Sequence, residues 1–486
     1  MTLTELLANE ELRQREFPVV RDKIFLAHAG VCPLPHRIAE AVSECAQRGT
    51  LGDQEAFVLH RLNDARQLGA RLLNCQPEEI ALVGPTSLAL SFVAAGLSFR
   101  KSDNILIYHD DYPSNVYPWM ALAERGVEVR LLNTRLRGDE AASATQARGL
   151  GVIRPQDVMG QVDENTRLVA LASCHFISGY RIDFQAIGKF LRERGILFCL
   201  DAIQTLGAFP TTVEHVDFLA ADAHKWLLGP CGAGLLYVRR ELQEKLNPPV
   251  YGWHNVRCPN FVAQEQIVFR NGAAKYEAGT HNLLGLVGLI AAMELVLEIG
   301  VENIAAELLR KRAWLVPALQ AKGFTVLNAD AKIENASSII SFHQAGSSLA
   351  EAASATKAGP SRDEAASAAK AGPGLAEVAS VAKAGPGLAE VASVAKAGPG
   401  LAEVASAAKA GPGLAEVASA AKAGPGLAEV ASVAKAGKDL TALHKKLTDA
   451  SVVASLRADR KGQNYIRFSP HFYNTDAELQ RTLELL

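Results

Sequence analysis

The chain has 486 residues, 49% of them hydrophobic, and its 50 Lys and Arg against 52 Asp and Glu leave a formal net charge of −2. That supplies sizeable cores for two or three domains, and the even charge balance offers no basic face to nucleic acid. The N-terminal stretch MTLTELLANEELRQREF carries acids where a secretion signal carries bases, and the longest uncharged apolar run, His281 to Met293, is too short to span a bilayer, so a cytoplasmic protein without membrane contact is expected.

From Arg21 to about Ile299, short β-rich runs (KIFLAHAG, EEIALVGPTS, DNILIYHDD, VEVRLLN, TRLVALAS, ILFCLDAIQ, DFLAADAHK, GAGLLYV) alternate with helical patterns. Such alternation predicts an α/β domain, a largely parallel sheet covered by helices, over 21–299. Four runs end in polar residues: Thr86 and Ser87, Asp110 and Asp111, Asp201 and Gln204, His224 and Lys225. Open α/β sheets bind ligands at the carboxyl ends of their strands, so these groups are expected to converge on one crevice. After Gly300 the pattern becomes helix, strand, strand, and 438–486 resumes with a helix, two strands and a closing helix. This predicts a smaller α+β domain made of 300–344 and 438–486, joined by residues 1–20.

Between its two parts, 345–437 repeats a unit close to LAEVASVAKAGPG. Glu351, Glu364, Glu377, Glu390, Glu403, Glu416 and Glu429 recur every 13 residues, and a related stretch stands at 138–149. In the copy beginning at Leu375, the apolar Leu375, Val378 and Ala382 fall at i, i+3 and i+7, and Gly385 and Pro386 follow. That spacing predicts short helices packed on one another in an inserted array, with a structureless Ala-rich loop as the alternative. The seven cysteines form no C-x-x-C pair and read as reduced core thiols, with neither a disulfide frame nor a metal site.

An aldehyde cofactor needs a lysine to bind it, a carboxylate to keep its ring nitrogen protonated and an anion site for its phosphate. Lys225 follows an apolar strand in ADAHKWLLGP, where burial lowers an amine's pKa. Asp201 closes ILFCLD, a position costly for an acid unless it meets a cation, and Gln204 lies three residues on. Thr86 and Ser87 open the apolar helix LALSFVAAGL, where backbone N–H groups suit a phosphate. Each has a plain alternative: a loop lysine, a turn acid, a loop amide and an N-cap.

In this order AHAGVCPLP, GPTS, DDYPSNVYPW, CLDAIQ, ADAHKWLLGP, YEAGTHN and IRFSPHFYNT resemble the class V aminotransferase family of fold type I pyridoxal-phosphate enzymes. The resemblance covers about residues 21–344 and 438–486. It implies that Lys225 carries pyridoxal 5'-phosphate as a Schiff base and that Asp201 pairs with the pyridine nitrogen. It puts Gln204 at the phenolic oxygen, Thr86, Ser87 and His224 around the phosphate, and Tyr112 against the ring. Thr280 matches a residue that reaches the neighbouring subunit's phosphate, which implies a homodimer with shared sites. Arg467 matches the arginine that holds the substrate carboxylate. The implied fold is a seven-stranded, mostly parallel sheet with a small α+β domain.

Departures stand beside these matches. Phe176 falls where desulfurases carry an asparagine, no cysteine follows Cys258, Asp222 and Ala223 precede His224 unexpectedly, and Arg457 lies near the substrate mouth. The expectation is therefore an epimerase, lyase or aminotransferase acting on an amino acid, and not a persulfide-forming desulfurase. The alternative is a catalytically silent scaffold that binds through its repeats.

Overall fold

The computed structural model describes residues 1–134, 149–344, 378–385, 388–395, 404–411, 414–421 and 440–486. It divides into two compact units, one of Met1–Ala345 with Leu440–Leu486 and one of Gly346–Asp439. The strands in chain order are β1 Ile24–Phe25, β2 Ile80–Leu82, β3 Asn104–Ile107, β4 Glu128–Leu131, β5 Thr166–Ala172, β6 Leu197–Asp201, β7 Phe218–Asp222, β8 Gly234–Val238, β9 Phe324–Val326 and β10 Ile340–Gln344. They are followed by β11 Val378–Gly385, β12 Leu388–Ala395, β13 Val404–Gly411, β14 Leu414–Ala421, β15 Val452–Val453, β16 Ser455–Ala458 and β17 Asn464–Phe468.

The large sheet has the seven strands expected, in the order β2-β8-β7-β6-β5-β3-β4. Only β8 runs antiparallel to its neighbours. Its inner strands are apolar along most of their length because both faces are covered. Ile105, Ile107, Leu168, Cys199, Phe218 and Leu236 pack with helix Thr86–Gly96 on one face. The alternate residues Leu106, Val169, Phe198, Leu200, Leu219 and Leu235 pack with helix Leu283–Ile299 on the other. Each Leu, Ile or Val so buried contributes roughly 1.5–3 kcal/mol. The apolar run at 281–293 is thus a core helix, and among the described residues no single helix is long and apolar enough to cross a membrane.

The first run of the sequence departs from expectation. KIFLAHAG does not join the large sheet; β1 pairs in parallel with β15, and this leaves Ala29 and Gly30 beside the cavity described below. Strands β16-β17-β10-β9 make an antiparallel sheet whose apolar side packs on Leu315, Leu319 and Leu479. The N-terminal segment ties to the chain's other end. Arg13 bonds Glu478 at 2.8 Å and the Tyr473 carbonyl at 3.2 Å, and Phe17 stacks on Tyr473 at 4.0 Å.

The described repeat residues correct the helical expectation. Strands β11 to β14 form an antiparallel sheet in sequence order, with Gly385 opposite Leu388 and Gly411 opposite Leu414. A helix of about ten residues is marginal alone, and a Gly-Pro every 13 residues forbids a longer one. Antiparallel pairing satisfies the backbone of short segments without needing a wide apolar stripe. The stretch related to the repeats at 138–149 lies, but for its last residue, outside the described residues.

Candidate active site

Strands β6 and β7 end side by side, and the residues that leave them build the site. Asp201 is the last residue of β6 and is 2% exposed. One carboxylate oxygen accepts the Ile203 N–H at 3.0 Å, the only hydrogen bond its side chain makes among the described residues. Burial raises its pKa, against which the Ile203 N–H and the charge of Lys225 act. A buried acid so sparsely bonded calls for a cation opposite.

Beyond β7 the chain turns through Ala223 and His224 to Lys225, which is 7% exposed. Burial pushes the Lys225 amine down to about 8, opposed by Asp201 and reinforced by Arg467 and Arg457. Its Nζ lies 5.2 Å from the centre of the Tyr112 ring.

Thr86 and Ser87 begin helix Thr86–Gly96 at the cavity wall. Thr86 Oγ1 accepts the Asp222 N–H at 3.0 Å, and Ser87 shares a 2.7 Å hydrogen bond with Ser114. The turn before them runs against the opposite loop. A Cβ on Gly84 would lie 2.7 Å from the carbonyl carbon of Gly232, so only glycine fits. Gln204 donates to the Ala29 carbonyl at 3.2 Å and accepts from Trp226 at 2.8 Å, which fixes the amide and leaves one N–H for a ligand.

Arg467 comes from β17 and is 1% exposed. It donates to the Phe176 carbonyl and, at 3.4 Å, to Ser455 Oγ, while its Nε is buried without a partner. Burial, with Arg457 nearby, lowers its pKa to about 9. No carboxylate pairs with it among the described residues, so this guanidinium has an unmet demand for an anion.

These groups line one cavity of about 290 Å³, which holds Lys225, Asp201, Gln204, His224, Thr86, Ser87, Tyr112 and Arg467. Three expected members lie outside its lining: Asp110, Asp111 and Thr280. Thr280 is exposed and lines a separate cavity with Gly232 and Asn282. Its segment is braced by Glu277, which accepts from Leu82 N–H at 2.9 Å, Arg66 at 2.6 Å and His281 at 2.7 Å.

Two contributions escaped sequence reasoning, and a third, Asp111, was expected in the crevice and stands behind it. Asp222 accepts the Ala223 N–H at 2.7 Å and the Gly232 N–H at 3.1 Å, and it faces His224 Nδ1 at 3.3 Å without hydrogen-bond alignment. Phe176 acts through its backbone on Arg467 while its ring packs edge-on against Tyr112 at 5.2 Å. Asp111 is buried, and that burial together with Asp201 raises it to about 7. It accepts from Tyr112 N–H at 2.7 Å, Asn115 at 3.0 Å and Ala172 N–H at 3.0 Å, which anchors the Tyr112 loop. The DDYPSN turn carries a sequence signal for that role, since Asp favours such side-chain-to-backbone turns; the other two depend on contacts between distant segments.

The residues fit pyridoxal phosphate. The buried Asp201 suits a protonated ring nitrogen, the helix N-terminus with Thr86, Ser87 and His224 suits a phosphate, and the depressed amine of Lys225 suits an aldehyde. Residues 24–358 match the aminotransferase class-V family. A probable cysteine desulfurase of Methanothermobacter thermautotrophicus is 33% identical over 306 residues, covering 61% of this chain and 72% of that protein. One from Pyrococcus abyssi is 27% identical over 308 residues, with the same coverage of 61% and 72%. Among solved structures, an apo cysteine desulfurase of Thermococcus onnurineus has a TM-score of 0.66 at 19% identity, covering 98% of this chain and 96% of that one. C-DES with glycine covalently linked to its PLP cofactor gives 0.68 at 17%, covering 97% and 98%.

These relatives overturn one expectation. Setting the chain apart from persulfide-forming desulfurases rested on the absence of a cysteine after Cys258 and on Phe176. The sequence relatives carry the name cysteine desulfurase, and so does a fold neighbour. A missing small-domain thiol bears on where sulfur goes and leaves open whether the C–S bond is cut. By its match over residues 24–358 and the cavity built around Lys225, Asp201 and Arg467, the chain belongs to the class V aminotransferase family and is an enzyme that depends on pyridoxal phosphate.

Proposed function

We propose that this enzyme cleaves the C–S bond of cysteine as a desulfurase and works as a homodimer. The observation that carries the reading is the meeting of Lys225, Asp201 and Arg467 in one cavity, in a chain similar to proteins named probable cysteine desulfurases. Pyridoxal phosphate, when bound, withdraws electrons from the substrate's Cα.

The chain's own residues do the rest. Arg467 holds the α-carboxylate through its planar fork, and its unpartnered Nε is part of that capacity. Asp201 keeps the ring nitrogen protonated. Lys225 takes the Cα proton at Nζ and returns a proton to the carbon that loses sulfur, a task suited to an amine held near the working pH. Tyr112 flanks the ring, with Asp111 setting its loop. His224, beside Asp222, would hold the phosphate with Thr86 and Ser87, and the exposed Thr280 would serve the phosphate of the second copy.

Sulfur transfer balances as cysteine plus a thiol giving alanine plus a persulfide. All seven cysteines are among the described residues and none lines the cavity, so the accepting thiol comes from another molecule. The test is to supply the holoenzyme with L-cysteine and a small thiol and to quantify alanine and persulfide sulfur together. Equal yields of the two support the reading; consumption of cysteine without sulfur release overturns it.

A further inference from the structure

Behind the cavity wall stands a side chain that the proposed chemistry does not use. Trp226 follows Lys225 in the chain, is 1% exposed and lies outside the cavity lining. Any large apolar residue would fill that space. An indole also brings an N–H, which burial obliges to find an acceptor, and the acceptor is Gln204 Oε1 at 2.8 Å.

This contact decides how Gln204 faces. An indole N–H only donates and a main-chain carbonyl only accepts. With Trp226 on one side and the Ala29 carbonyl on the other, at 3.2 Å, the amide has one orientation, oxygen toward Trp226 and nitrogen toward Ala29. The second N–H of that nitrogen is left for the cavity, which Gln204 lines. Two contacts fix a planar amide where a single one leaves it free to turn.

Trp226 is itself held from two sides. Its carbonyl accepts the His471 Nε2–H at 3.2 Å, a tautomer set by the Phe472 N–H, which donates to His471 Nδ1 at 2.9 Å. Burial, with His28 nearby, keeps this imidazole neutral by holding its pKa well below the ordinary value. On the other side the chain passes through Gly207 at φ 89°, so close that a Cβ there would stand 2.7 Å from the same carbonyl oxygen. Gly207 belongs to the turn that carries Gln204, and His471 to the segment that follows Arg467. The stretches bearing the amide, the lysine and the arginine thus meet on one residue.

We propose that Trp226 is a positioning residue that acts through Gln204: its indole N–H keeps the amide's free N–H on the cofactor's ring oxygen and so lowers the pH at which the bound cofactor gives up its proton. A donor on that oxygen stabilises its charged form, which sets the direction. The inference rests on Gln204 lying at the ring oxygen and is independent of what happens at sulfur.

The test reads the colour of the holoenzyme and not turnover. Absorbance of the bound cofactor is titrated against pH in the unaltered enzyme, in Gln204→Ala, in Trp226→Phe and in the double variant. A hydrogen bond to a charged oxygen is worth about one to two pH units, so Gln204→Ala is expected to raise the midpoint by that much. Trp226→Phe should raise it in the same direction by a smaller amount, about half a unit or more. Added to Gln204→Ala it should move the midpoint no further, a limit that a disturbance of Lys225 itself would not respect. Replacing Trp226 by 3-benzothienylalanine, which keeps the indole's outline with sulfur in place of the N–H, repeats the measurement without loosening the core. An unmoved midpoint in the benzothienyl enzyme overturns the inference, as does an equal shift with Gln204 already gone. A midpoint unmoved in Gln204→Ala overturns it too, by taking the amide off the ring oxygen. None of these outcomes touches the desulfurase reading, which the yields of alanine and persulfide sulfur test separately.

Discussion

The carboxyl ends of β6 and β7 and the repeat strands β11 to β14 represent opposite ways of using sequence. Around Asp201 and Lys225, every residue differs from its neighbours and each buried polar group has its own partner or an identifiable want of one. In the repeats, one 13-residue unit recurs and the register sets like against like, Ser380 opposite Ser393 and Ser406 opposite Ser419. The first region is intolerant because burial makes an unpaired charge expensive. The second asks of each copy only short extended segments and a stop. Sharp losses are expected from single atoms changed in the first, and little from whole copies removed in the second.

The largest effect belongs to Lys225. Lys225→Ala removes both the covalent anchor and the proton carrier, and turnover should fall by roughly 10²- to 10⁴-fold for the proton transfer alone, with loss of the borohydride-fixable cofactor. Retention of covalently fixable cofactor in this variant would break the assignment. Asp201→Asn comes next. An opposite charge shifts a partner's pKa by about 1–3 units, so losing it should cost roughly 10- to 10³-fold in turnover while the cofactor stays bound. Unchanged turnover with intact cofactor binding would make Asp201 a structural acid.

Most strands and their ends were legible because they follow from local patterns. Apolar runs of four to seven residues with polar terminators predicted a largely parallel sheet, to which the family resemblance added the count of seven strands, and put Thr86, Asp201, Gln204 and Lys225 at its carboxyl edge, where the cavity lies. What escaped depends on partners far along the chain. β1 reads as one more strand of the alternation, yet it pairs with β15, more than four hundred residues later. Phe176 was weighed by its side chain and contributes its carbonyl. The repeats satisfy helix and strand patterns equally, since Ala suits both faces of either, and backbone pairing decided against the helical period. The reaction at sulfur was misjudged because one cysteine's absence was given more weight than the rest of the site.

Arg467→Lys sharpens the comparison further. A single ammonium does not reproduce a two-point fork on a carboxylate, and KM should rise by about 10- to 10²-fold, the worth of one charged hydrogen bond. A KM unmoved for every amino acid that binds would send the carboxylate elsewhere. A smaller effect is the pH dependence of cofactor capture by apoenzyme. The neutral amine is the nucleophile, and burial brings Lys225 down to about 8. The capture rate should climb about tenfold per pH unit below that value and level off above it. A rate still climbing beyond pH 10 would mean that the amine is not depressed.

The smallest effect is expected from the largest change. Joining Gln344 to Lys438 through a short flexible linker removes the repeats while keeping β10 and the helix that starts at Leu440. Gln344 is the last residue of β10 and pairs with Phe324 of β9, so the strand keeps its partner after the excision. Shortening the connection favours folding slightly, since each halving of loop length returns about 0.6 kcal/mol of closure entropy. The arginines of β16 and β17 are placed by pairing within their own sheet. Turnover and KM of the shortened enzyme should therefore stay within about twofold, a difference worth less than 0.6 kcal/mol. Circular dichroism should report a loss of extended signal in step with the copies removed. A shortened enzyme with intact cofactor spectrum and a collapsed kcat would show that the repeats act on the site, and loss of helical signal in their place would return them to the helical reading.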